Sequence, residues 1–224
     1  MTDRLILTLA ILGGTGNEGP GLAYRWAKAG YHVIIGSRSS EKAAGVAADL
    51  NARLERDFVD AMLNADAAKA CDIAILTVPY AAQRATLEPL KDLLSGKLLV
   101  NVTVPLDTEN VAGVRMPPAG SAAQEAQEIL GDAVSVTAAF QAVSHIHLRQ
   151  DGPIASDVLV CGDSDAAKEQ TLQLVAAAGL TGWDAGPLQN SVVAEGLVAV
   201  LIGINKRYKI KSAGIRITGE QAPT

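Results

Sequence analysis

The chain has 224 residues, enough for one large core or for a nucleotide-binding unit with a small appended lobe. A formal net charge of -5 and a sequence pI near 5.2 provide no positive field for DNA or RNA. The longest apolar runs, Leu5 to Leu12 and Val192 to Ile204, fall short of the roughly 20 residues of a membrane span, so neither is expected to cross one.

Few aromatics and abundant Ala, Val, Leu and Gly suit strands covered by Ala-rich helices, an α/β composition. Leu7 to Leu12, stopped by Gly13 and Gly14, predicts a strand buried on both faces. Pro20 fits the first turn of a helix and Gly30 its end. A strand over Tyr31 to Gly36, a helix over Glu41 to Arg53 and a short strand over Asp57 to Met62 follow. Next come a strand over Ile73 to Val78, a helix over Ala81 to Leu94 and a strand over Leu98 to Val102. Arg115 to Gly120 is a Pro/Gly-rich loop, followed by a helix over Ala122 to Leu130 and a strand over Val134 to Phe140. His145 and His147 have the spacing of one strand face. The remainder predicts a strand over Val158 to Cys161, a helix over Ala166 to Ala178, a turn over Asp184 to Pro187, an apolar helix over Val192 to Ile204 and a basic tail.

Alternating strands and helices imply a Rossmann-type, doubly wound, mostly parallel sheet with helices on both faces. The expected division is a dinucleotide-binding domain over residues 1–150 and a smaller helical lobe over residues 151–224. Cys71 and Cys161 lie in separate apolar strand-like stretches and read as buried thiols, not a disulfide framework. The first apolar run leads straight into a glycine turn instead of a cleavage site, which sets the expectation of a cytosolic protein.

Gly14, Gly16 and Gly19 have G-x-G-x-x-G spacing between a strand and a helix. Gly14 permits the tight turn, Gly16 lets the backbone approach a pyrophosphate, and Gly19 lets the helix pack close to the strand. A glycine-rich loop can also merely turn the chain; the setting between strand and helix favours the dinucleotide. The second strand ends near the ribose, and there the chain reads Gly36, Ser37, Arg38, with Lys42 four residues on and no ribose-binding acid. A hydroxyl, a guanidinium and an ammonium suit a 2′-phosphate, so NADP(H) is preferred over NAD(H). Two solvated cations at a helix start would oppose its dipole unless an anion were near. Thr77-Val78-Pro79 and Thr103-Val104-Pro105 end two other strands alike, as flanks for a flat ring or as plain strand stops.

No histidine is well placed as a general base, and neither His145 nor His147 has a cysteine or carboxylate nearby in sequence to complete a metal site. Tyr24 and Lys28 form a Y-x-x-x-K pair like that of short-chain dehydrogenases, but on the first helix, away from where that family places it. Hydride transfer between two redox cofactors needs little acid–base help; stacking the rings at about 3–3.5 Å and excluding water does most of the work. That agrees with the lack of a catalytic acid or base.

The blocks LGGTGNEG, IIGSRSSEKA, ACDIAILTVP, NVTVP, VCGD, DAGPLQNS and AGIRITG, in that order, resemble the coenzyme F420-dependent NADP oxidoreductase family, also called NADPH-dependent F420 reductases. The resemblance implies NADP contacts from Thr15, Gly16, Asn17 and Glu18, a 2′-phosphate site at Ser37, Arg38 and Lys42, and further contacts at Val78, Val104 and Ser144; Pro79, next to Val78, joins them as a candidate cofactor-binding residue. It also implies a deazaflavin, coenzyme F420, against the nicotinamide, a C-terminal lobe covering it, and a homo-oligomer, dimer or tetramer. Polar residues of the family's deazaflavin site correspond here to Val192, Gly196, Val198 and Phe140, all apolar or small. The acceptor alternatives are a flavin, a quinone or a ferric chelate, and the non-catalytic alternative is an NADP(H)-binding protein. Glu195, inside the apolar helix, reads either as lining the acceptor pocket or as facing solvent or a basic neighbour. Lys206 to Lys211 reads as a solvated helix end or as a partner for the coenzyme's anionic tail.

Overall fold

A computed structural model describes residues 7–219, so Leu5 and Ile6, at the head of the first apolar run, lie outside the described residues. The elements in chain order are β1 (Thr8–Leu12), α1 (Gly19–Lys28), β2 (His32–Ser37), α2 (Ser40–Leu54), β3 (Val59–Leu63), α3 (Asn64–Ala70), β4 (Ile73–Leu76) and α4 (Tyr80–Leu87). They continue as β5 (Leu98–Asn101), α5 (Ala122–Leu130), β6 (Ser135–Ala138), α6 (His145–Leu148), β7 (Asp157–Gly162), α7 (Asp165–Ala177), β8 (Thr181–Asp184) and α8 (Ser191–Tyr208). One sheet of order β3-β2-β1-β4-β5-β6-β7-β8 runs through the molecule.

Strands β1 to β6 are parallel, and the register sets Leu12 beside Gly36 and Leu76, Leu76 beside Asn101, and Asn101 beside Ala138. Their carboxyl ends therefore form one even rim. Along β1, Leu9 and Ile11 pack with Leu22 and Trp26 of α1 and Leu50 of α2, while Ala10 and Leu12 pack with Ala67 of α3 and Ala126 of α5. Both faces of each central strand are covered, which is why these strands read as unbroken apolar runs.

The sheet is mostly parallel, as expected, and the exception lies beyond β6. Strand β7 runs antiparallel to β6 and meets it only at Thr137↔Gly162 and Ala138↔Cys161. Residues 157–160 therefore project past the rim, and β8 lies parallel to that projecting part. Only the one-turn helix α6 and a loop separate β6 from β7, so no long helix carries the chain back across the sheet. The histidines expected on a strand face lie in α6, because the Ser144 hydroxyl accepts the Ile146 N–H and starts a helical turn. The helix expected to reach Leu94 ends at Leu87; Pro89 cannot donate to its ladder, and two 3₁₀ turns follow. Helix α3 and strand β8 were not expected.

Arg25 of α1 is buried without a carboxylate in direct contact. Its guanidinium donates to the carbonyls of His147, Leu148, Gln150, Gly152 and Ala178. It ties the segment after α6, and the end of α7, to α1. Tyr24 and Lys28, the Y-x-x-x-K pair, both bond Asp151 on that segment and so have a structural use. Cys71 and Cys161 are buried free thiols.

Candidate functional site

The glycine loop follows β1 at the rim. Gly13 adopts φ +73°, and its N–H donates to Asn64 Oδ1 at 3.2 Å. Gly14 N–H donates to Gly36 O at 2.9 Å, and a Cβ on Gly14 would stand 2.8 Å from Ile11 O. A Cβ on Gly19 would stand 2.5 Å from Gly14 O, so the start of α1 rests directly on the loop. Gly16 differs: a Cβ there would meet nothing closer than 3.7 Å. Gly14 and Gly19 shape the turn, whereas Gly16 presents bare backbone to open space, as a cradle for a diphosphate requires.

That open space is a cleft of about 220 Å³ at the carboxyl ends of β1, β2 and β4. Of the residues singled out from sequence, Thr15, Gly16, Ser37, Arg38, Lys42, Val78 and Pro79 line it together. Ser37 is 5% exposed; its Oγ accepts the Ser39 N–H at 3.2 Å, leaving its own proton free to donate. Ser39 caps α2 through the Lys42 N–H, which puts Lys42 in the helix's first turn and Arg38 just before the cap. Both cations are exposed, and neither has an ion-pair partner among the described residues. Two exposed cations at a helix N-terminus, beside a hydroxyl, have the chemistry that suits a compact dianion.

Thr77, which opens the first Thr-Val-Pro turn, also lines the cleft, as does Asn64, which sequence reasoning missed. The register puts Leu63 beside Ser37, so the residue after β3 falls at the same rim. Beneath the two Thr-Val-Pro turns lies a buried amide network. Asn101 Nδ2 donates to Gln83 Oε1 at 2.9 Å, Gln83 Nε2 donates to Ala122 O at 2.9 Å, and Thr103 Oγ1 donates to Val78 O at 3.1 Å. These bonds fix how the turn carrying Val78 sits against the one leading to Val104.

Asn17, Glu18, Val104 and Ser144 lie outside the lining of this cleft. Asn17 O accepts from Arg149 Nη2 at 3.0 Å, and Glu18 Oε1 stands 3.8 Å from Nδ1 of His145. Ser144 Oγ also donates to Ser212 Oγ at 3.1 Å, so the turn after α8 reaches the same corner. Burial lifts the Glu18 carboxyl to about 7 against the opposing pull of Arg149.

The positions that the resemblance ties to the deazaflavin are distributed differently. Phe140 is 2% exposed, has φ +72°, and meets Trp26 edge-on at 5.7 Å, so its ring belongs to the core. Gly196 is buried under the 102–121 loop, where a Cβ would stand 3.3 Å from Val114 and 3.4 Å from Met116. Val192 and Val198 are half-buried on the same helix. Glu195 neither faces solvent nor meets a cation in direct contact. Its carboxylate accepts the Ala122 and Ala123 N–H groups at 2.7 and 3.0 Å, capping α5 from α8, while Ser121 and Ser191 share a hydroxyl bond at 2.7 Å. Burial raises this carboxyl to about 7 although both amides favour its charged form. With the preceding turn, Leu188–Tyr208 makes a 21-residue stretch long and apolar enough to cross a membrane, longer than the run visible in sequence; its inner face holds these polar ties to α5.

Residues 8–105 match the family model described as NADP oxidoreductase, coenzyme F420-dependent. The F420-dependent NADP reductase of Methanocaldococcus jannaschii is 40% identical over 221 residues, covering 95% of this chain and 98% of that protein. That of Methanothermobacter marburgensis is 41% identical over 220 residues, with the same coverage of each. A crystal structure from Arthrobacter sp. FB24 has the same fold, with a TM-score of 0.79 at 24% identity, covering 95% of this chain and 100% of that one. Resemblance across nearly the whole length, and not only at the glycine loop, means that this chain belongs to the coenzyme F420-dependent NADP oxidoreductase family.

Proposed function

We propose that this protein transfers a hydride reversibly between NADP(H) and the deazaflavin coenzyme F420. The observation that carries this reading is the full-length similarity to F420-dependent NADP reductases, joined to a rim cleft whose only cations among the described residues are Arg38 and Lys42. The residues fit the cofactor: Gly16 leaves room for a diphosphate at the start of α1, and Ser37, Arg38 and Lys42 take the 2′-phosphate. When bound, the nicotinamide supplies the hydride from its C4. Gly14 and Gly19 shape the loop, while Asn17, Glu18 and Ser144 bound its outer side. Val78 and Pro79 form an apolar wall of the cleft, and Val104, outside its lining, would extend that wall toward the nicotinamide to exclude water.

Residues 151–219 form the cover of the acceptor side in this reading, with the dinucleotide held by residues up to about 150. The projecting ends of β7 and β8 and the attachment of α8 to α5 support it. Half-buried Val192 and Val198 would offer that side apolar contacts for the faces of a ring system rather than for its polar edge. Exposed Val193 and Val200 on α8, with Val114 on the adjoining loop, support a homo-oligomer joined through this face. Two buried free thiols support a reducing, cytosolic setting.

The test is purified protein with NADPH and F420, followed by loss of deazaflavin absorbance across pH, and a parallel panel of flavin, quinone and ferric chelate. Turnover with F420 is expected. No turnover with F420 at any pH, with turnover of another acceptor, refutes the assignment.

A further inference from the structure

The glycine loop carries a carboxyl group at the start of α1, outside the lining of the cleft but on the same loop whose Gly16 backbone faces it. Glu18 sits at the start of α1 with helical backbone angles, and its carbonyl accepts from Gly21 and Leu22 at 3.1 and 3.2 Å, so its backbone cannot move away without unwinding the first turn. Its side chain packs toward α6. Oε1 stands 3.8 Å from His145 Nδ1, while Oε2 is sealed from solvent and has no hydrogen-bond partner. The charged or titratable groups that face it are His145, from α6, and Arg149, from the end of that helix. Arg149 bonds the Asn17 carbonyl and leaves the carboxyl without a direct cationic partner. The neighbours on its own loop and helix, Thr15, Gly16, Asn17, Gly19 and Pro20, are uncharged.

An ionised carboxylate in this position opposes an incoming dianion twice, through like charge and through the water that the ligand removes. A neutral carboxyl opposes it in neither way, and its hydroxyl gives the sealed corner a donor. We propose that docking of the dinucleotide's diphosphate on the glycine loop is coupled to uptake of a proton by Glu18. The inference rests on the proposed NADP(H) site and adds a proton to its binding equilibrium. The residue acts on affinity through its charge; it need not touch the reacting atoms. In the free protein burial already holds this carboxyl near 7, so the coupling falls within the physiological range.

Calorimetric titration of NADPH and NADH at pH 7.5, in two buffers of different ionisation enthalpy, counts the protons. The wild type should take up about half to one proton more per cofactor than Glu18→Gln, with either dinucleotide. The 2′-phosphate titrates near pH 6 in both proteins, so its contribution cancels in the difference. His145→Gln should leave the extra uptake in place. The wild-type dissociation constant should rise by up to about tenfold per pH unit above 7.5, and that of Glu18→Gln should stay level relative to it. The pH dependence of the wild type alone carries the same reading if Glu18→Gln folds poorly. Equal uptake in wild type and Glu18→Gln, loss of the uptake in His145→Gln, or a level wild-type profile overturns the coupling while leaving the NADP(H) site standing. Failure of every protein to bind either dinucleotide overturns the site itself.

Discussion

Replacing Arg38 and Lys42 together by Ala tests the phosphate assignment in two opposite directions. A guanidinium on a phosphate is worth about 1.5–3 kcal/mol, and an exposed rim position calls for the lower end; an exposed ammonium adds about 0.5 kcal/mol. A combined loss of about 2 kcal/mol weakens NADPH binding by about 30-fold, while NADH, lacking the 2′-phosphate, should change by less than about twofold. The free protein should respond the other way. Lys42 lies in the first turn of α2 and Arg38 just before its Ser39 cap, where each cation opposes the helix dipole by about 0.3–0.5 kcal/mol. Removing both should raise the melting temperature of cofactor-free protein by about 1–3 °C. Fluorescence titrations with the two dinucleotides and thermal melts without them measure both effects. Equal losses for NADPH and NADH, or a lower melting temperature with unchanged cofactor preference, refute the reasoning.

Two further substitutions separate binding from folding. Gly16→Ala meets open space, so urea denaturation should change by less than about 0.5 kcal/mol while NADPH binding weakens by about tenfold; Gly19→Ala collides with Gly14 O and should cost about 1–3 kcal/mol of stability instead. Glu195, 0% exposed, is lifted from the ordinary 4.5 to about 7, so the folded protein holds this proton more tightly than the unfolded chain. Stability should therefore fall by about 3 kcal/mol as pH rises from about 4.5 to 7, and Glu195→Gln should remove that part of the slope in urea midpoints measured along the pH scale. Parallel slopes in both proteins refute it.

What could be read from sequence follows a physical division. The central strands are buried on both faces, so each appears as an apolar run ended by Gly, Thr or Pro, and β1, β2, β4 and β5 fall where those runs lie. Ser37, Arg38 and Lys42 were legible because one strand end and one helix start bring them together within six residues. Asn64 was not, because its place depends on the pairing of β2 with β3, and β8 was not, because a half-exposed TGWD strand has no apolar alternation. Glu195 was the hardest to read: its partners are backbone amides 72 and 73 residues away, and amides carry no side-chain signature.

This division also separates the two halves of the site energetically. The dinucleotide side is built from the sheet itself, where the rim, the glycine loop and the start of α2 are fixed by strand register and by a core packed on both faces. The proposed acceptor side depends on pieces added above the rim: α8, capped onto α5 by Glu195 and joined at Ser121 and Ser191, and the loop that rests on Gly196. None of these ties involves the side chains at 192 or 198, and the close packing at 196 requires only that the residue be small. Substitution at 192 or 198 should therefore leave the attachment of α8 and the proposed phosphate site undisturbed. In the proposed reading, the fold constrains the cofactor half through its core, whereas Val192 and Val198 on α8 hold no tie that the fold depends on.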